Sequence, residues 1–145
     1  MQPIDLLKAL GVAMIVLIST FAFAFPMVAF YAYLIEPGHP PDFYSKAAQW
    51  IAPWSSHVLG PLLFLGFNFR LARSRPERNA IAFALATIAL YVVIDAGSLP
   101  LFGLDVRMFF RAPVLISLVF KAAEALLGAW LGAGSGGPPT LAHAP

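Results

Sequence analysis

The chain has 145 residues, of which 60% are hydrophobic and only 11% charged, with a net charge of +2 and a mean hydropathy of +0.81. A water-soluble domain carries about 25% charged residues, so this chain cannot cover itself with a polar surface. The net charge is too small to suggest a nucleic-acid partner, and the lack of cysteine excludes disulfides, thiolate nucleophiles and thiolate metal ligands.

The remaining charge is segregated: long apolar stretches alternate with short connections, and one connection holds Arg70, Arg73, Arg75 and Arg78. A hydrocarbon core of about 30 Å takes about 20 apolar helical residues to cross. The pattern predicts an all-α integral membrane four-helix bundle, one domain over residues 1–131, with four transmembrane helices.

The first predicted span covers about residues 7–35, with no charge between Lys8 and Glu36. It is longer than a perpendicular crossing needs, which predicts tilt or a kink at Pro26. Its start also has secretory-signal features, a lysine followed by an apolar run and the small-residue pattern Ala22-Phe23-Ala24. The apolar run continues past Ala24 to Ile35, which favours a retained span.

Residues 42–52 hold Phe43, Tyr44, Lys46 and Trp50, and aromatic rings with a lysine suit the headgroup level. A short outward-facing interfacial helix is expected there, ended by Pro53. The second span follows over about 54–69, the third over 80–99 and the fourth over 109–131. Residues 132–145 are rich in Gly, Pro, Ala and Ser and read as a disordered cytoplasmic tail. Four arginines in the second connection place it in the cytoplasm, and with four crossings both termini lie there too. High Ala, Pro and Arg usage points to a bacterial inner membrane.

Each span carries a stripe of small and polar residues at helical spacing. In the first it is Gly11, Ile15, Ser19, Ala22, Pro26, Ala29, Tyr33 and Glu36. In the second it is His57, Gly60, Phe64 and Asn68; in the third, Ala80, Ala84, Thr87, Tyr91, Asp95 and Ser98. In the fourth, Arg107, Arg111, Val114, Ser117, Lys121, Glu124 and Gly128 share one side. An ionisable side chain at bilayer depth costs about 2.5–3.5 kcal/mol, so all four stripes are expected to turn inward. Gly128 and Gly132 form a GxxxG pair suited to a close helix contact.

Depth divides the candidate ligand-binding residues into two layers. Glu36, His57, Asp95 and Arg111 fall near the outer ends of their helices. Lys121 lies about 15 Å inside the fourth span, with Glu124 one turn deeper on the side of Asn68, and Tyr91 sits on the same inward stripe as Asp95. Lys121 and Glu124, at i and i+3, are placed to pair with each other.

Three function classes fit these residues. The favoured one is binding or translocation of a small molecule, ion or amphiphilic lipid in the polar interior. The second is an accessory subunit whose stripes satisfy one another, dock on a larger membrane complex or form a homo-oligomer. The third is an intramembrane enzyme with His57 and Asp95 as an acid–base pair. His57, Asp95 and Glu36 offer imidazole and carboxylates, but without diagnostic spacing, so neither a metal nor another cofactor is expected. No nucleophile motif, phosphate loop or zinc-type histidine pair occurs. Membrane lipids are the one partner the composition demands.

Overall fold

The computed structural model describes residues 2–103 and 105–135. Among the described residues there are four α-helices: α1 (Pro3–Phe30), α2 (Pro41–Arg73), α3 (Ala80–Ser98) and α4 (Ala112–Gly134). A π turn, Tyr31–Ile35, extends α1, and two 3₁₀ turns, Leu99–Phe102 and Val106–Phe110, join α3 to α4. No strand occurs among the described residues.

Local chemistry sets the helix ends. Pro3 and Pro41 occupy first-turn positions, where the missing N–H costs nothing. The Asp5 carboxylate accepts the Gln2 N–H at 3.0 Å, and the Asn79 side chain accepts the Ala82 N–H at 2.9 Å to start α3. Gly103, at φ 70°, supplies the left-handed residue that ends the first 3₁₀ turn.

Three helical stretches, Pro3–Ile35, Ala80–Leu101 and Ala112–Gly134, are long and apolar enough to cross a membrane. The remaining long helix, α2, differs from the expected two-part arrangement. It runs unbroken through Pro53 and Pro61 for 33 residues, so the anticipated interfacial helix is its first three turns. Each proline removes one hydrogen bond from the ladder, and the rest of the ladder, held by packing on both sides, keeps the helix continuous. Likewise α1 passes through Pro26 and widens only at the π turn. At the other terminus α4 reaches Gly134, past the expected boundary at 131; residues 136–145 of the expected tail lie outside the described residues.

In cross-section the helices follow the order α1, α2, α4, α3, with α2 and α3 meeting across the diagonal. The centre is filled by Phe64 of α2 and Tyr91 of α3, rings edge-to-face with centroids 5.2 Å apart. The α2–α4 seam is the closest: a Cβ on Gly128 would collide with the Leu65 carbonyl oxygen, and one on Gly132 with that of Phe69. The GxxxG pair therefore serves a contact inside the chain, where small residues let two backbones meet.

The stripes of α2, α3 and α4 face this interior, with Phe64, Asn68, Ala84, Thr87, Tyr91, Ser117, Lys121 and Gly128 buried. The α1 stripe does not. Ile15 and Tyr33 are exposed, whereas Ala9, Val12, Ala13, Val16, Thr20 and Ala24 are buried. Ala9/Ala13 and Thr20/Ala24 are small residues four apart, and their close approach to neighbouring helices outweighs the weak pull of one serine. The Thr20 backbone carbonyl also accepts Ser55 Oγ–H of α2 at 2.9 Å.

Candidate functional site: a buried lysine beside a polar cavity

Lys121 stands on the inward face of α4 and is 3% exposed. Room for its side chain comes from Gly60 of α2, where a Cβ would stand 2.6 Å from Lys121 Cε. The Lys121 Nζ reaches out of its own helix and donates to Ser56 Oγ of α2 at 2.7 Å and to Tyr91 OH of α3 at 3.0 Å. It also lies 4.8 Å from the centre of the Tyr91 ring. An ammonium has three donors, so one remains beyond these two bonds.

Asp95, one turn beyond Tyr91 on α3, is half-buried and lines the same pocket as Lys121. Lys121 and Asp95 form no ion pair within 4.0 Å. A cavity of about 140 Å³ adjoins both, lined also by Ser56, His57, Ser117 and Phe109. Ser117, one turn before Lys121, is 3% exposed and its buried hydroxyl has no hydrogen-bond partner among the described residues. At about 30 Å³ per water in the liquid, the cavity has room for several waters or one small polar molecule.

His57 lines the same cavity, but its ring is engaged elsewhere. Nδ1 is 2.5 Å from the Pro53 carbonyl oxygen and Nε2 is 3.1 Å from that of Pro113. The imidazole thus bridges α2 to the first turn of α4.

One residue of the deeper layer, Lys121, joins two of the outer layer, His57 and Asp95, around one cavity. The flexible lysine stem carries its charge along the bundle, so Lys121 joins Tyr91, Asp95 and His57. Four candidates stand apart from it. Glu36 is exposed at the end of the π turn, 3.3 Å from His39. Arg111 is the exposed N-cap of α4. Glu124 is half-buried, and no hydrogen bond or ion pair joins it to Lys121, whose nitrogen is taken up across the helix interface. Asn68 is 1% exposed and donates to the Phe64 carbonyl at 2.9 Å, leaving its Oδ1 without a partner among the described residues. No group of three His, Asp or Glu among the described residues is arranged to hold a metal ion.

Ser56 and Ser117 are members of the site that sequence reasoning did not select. Ser117 was legible as the residue four before Lys121; Ser56, beside His57, carried no signal of its own, because its role depends on where a lysine from another helix ends. Comparison with protein-family models, with curated proteins and with solved structures finds no match to this chain.

Proposed function

We propose that the chain is a bilayer protein with four crossings and both termini in the cytoplasm of a bacterial cell, whose central cavity binds or passes a small polar ligand. The observation that carries this reading is the placement of Lys121, Ser117 and Asp95 around one cavity. A buried hydroxyl without a partner and a buried ammonium with a donor to spare are costly in an apolar interior, and a carboxylate lines the same cavity. A ligand or short water chain in that space offsets both costs. Mixed donors, acceptors and charges favour a small hydrophilic species over a lipid tail.

The α2 helix supports a fourth crossing despite its lower hydropathy. Its polar residues Ser55 and Asn68 are buried, while Trp54, Val58 and Leu62, spaced four apart, are 60%, 58% and 62% exposed. Polar inside and apolar outside is the arrangement lipid demands. Binding is favoured over acid–base catalysis because both His57 ring nitrogens lie against carbonyl oxygens rather than Asp95.

Native mass spectrometry of gently solubilised protein, followed by flux measurements in proteoliposomes, tests the reading. A small species that co-purifies with the wild type and is lost in Lys121→Met, or an ion flux lost in Asp95→Asn, is the expected result. Absence of both a bound species and any flux that responds to these substitutions overturns it.

A further inference from the structure

Another polar recess lies at the opposite end of the bundle, where the start of α1 meets the arginine-rich connection. It measures about 320 Å³ and is lined by Gln2, Asp5, Arg75, Glu77, Arg78 and Asn79. The Arg78 side chain is only 5% exposed. Its Nη1 donates to Asp5 Oδ1 at 3.5 Å and its Nη2 to the Leu71 carbonyl at 2.7 Å, with the guanidinium 3.8 Å over the Phe83 ring. Its Nε is buried with no partner among the described residues. Arg75, 4.0 Å from Asp5, keeps 37% of its side chain exposed, and the exposed Glu77 takes part in none of these ion pairs.

Two guanidiniums and two carboxylates around one recess do not suit a simple anion, which would meet Asp5 and Glu77 as well. They suit a molecule that carries a phosphate and a primary ammonium together. Phosphate is matched by the part-exposed Arg75, with the recess-lining Arg78 guanidinium adding its charge, and ammonium by Glu77. The surface beyond the recess says which such molecule. One turn along α1 from Gln2 is Leu6, and one turn along α3 from the recess residue Ala82 is Leu85. These leucines are 52% and 54% exposed. Both leucines belong to the apolar outer surface of the helices that carry the recess, and on the bilayer reading that surface meets acyl chains, which a soluble phosphate ester does not need.

We propose that this recess seats the headgroup of an aminophospholipid, with its phosphate on Arg75 and Arg78, its ammonium on Glu77 and its acyl chains along Leu6 and Leu85. The proposal rests on the bilayer reading of the helices and not on the ligand reading of the central cavity.

The test is lipid retention by the full chain in native mass spectrometry, with dioleoyl phosphatidylethanolamine, phosphatidylglycerol and phosphatidylcholine in turn, and free O-phosphoethanolamine as competitor. The wild type is expected to retain the ethanolamine lipid about fivefold better than the other two. Glu77→Gln, at an exposed residue, brings ethanolamine retention down to the choline level, and Arg75→Gln weakens all three lipids. Lys121→Met keeps the preference. Equal retention of the three lipids, stronger retention of phosphatidylglycerol, or an unchanged preference in Glu77→Gln overturns the proposal. So does full displacement of the lipid by free O-phosphoethanolamine, which would make the ligand a soluble one. A wild-type chain that fails to insert into bilayers overturns the bilayer reading as well, whereas insertion without headgroup preference overturns this proposal alone.

Discussion

Lys121 passes through the space that any side chain on Gly60 would claim, its Cε 2.6 Å from where a Cβ would stand. A glycine on α2 thus determines where a cation from α4 ends, and the lysine arrives at Ser56 and Tyr91 only because that slot is open.

Substitution at Gly60 is therefore expected to act on the site before it acts on the fold. In Gly60→Ala the flexible end of the lysine moves aside, with a stability change of at most about 1 kcal/mol. In Gly60→Val the branched side chain fills the slot and forces Lys121 away from Ser56, at about 1–3 kcal/mol of overpacking. Unfolding in mixed micelles measures both stability changes and ligand retention reports on the site; retention weakened in Gly60→Ala and lost in Gly60→Val is the expected outcome.

Lys121 and Asp95 are expected to be energetically coupled although they do not touch. Lys121→Met keeps the volume but removes the bonds to Ser56 and Tyr91 and leaves the Asp95 carboxylate without its counter-charge, so it is expected to destabilise by about 1–3 kcal/mol. Asp95→Asn, at a half-buried residue, is expected to cost less. The double variant is expected to depart from additivity by about 0.5–3 kcal/mol, since each charge is the other's partner across the cavity. Additivity within the error of the unfolding measurement would show that the carboxylate does not sense the ammonium.

The α2–α4 seam gives a contrast between two glycines. Gly66→Ala meets nothing within 4 Å, so it should be neutral or stabilising by up to about 1 kcal/mol through helix propensity. Gly128→Ala places its Cβ against the Leu65 backbone, which cannot yield without moving a helix, and should cost about 1–3 kcal/mol. Thermal melts of the two variants in one detergent make the comparison.

Much of this architecture is legible in the sequence because lipid imposes a coarse rule. Apolar length marked four spans, of which three are long and apolar enough to cross a membrane, helical spacing marked the inward faces of α2, α3 and α4, and the Gly128/Gly132 spacing marked a close contact. The rule failed where the deciding interaction is local or lies between helices. Pro53 read as a helix end, but a proline breaks a helix only when nothing else holds it. The α1 stripe read as polar because Ser19 and Glu36 fall on it, yet the tighter fit of Ala9, Ala13 and Ala24 decided its rotation. Glu124 read as the partner of Lys121 from i, i+3 spacing alone, whereas hydroxyls on two other helices hold the lysine. Side-chain reach across an interface has no signature in a single helix, and Ser56 is invisible for that reason.

On the proposed reading, the interior beside Lys121 is wet and polar while the outside of the same helix faces lipid. The chain has no native cysteine, so single substitutions report without background. Ser117→Cys places a thiol in the cavity wall and Phe120→Cys places one on the 58% exposed outer face of α4. In sealed, right-side-out vesicles, a small water-soluble methanethiosulfonate added outside should modify Ser117→Cys and leave Phe120→Cys untouched. Modification of Phe120→Cys with Ser117→Cys protected would contradict the account.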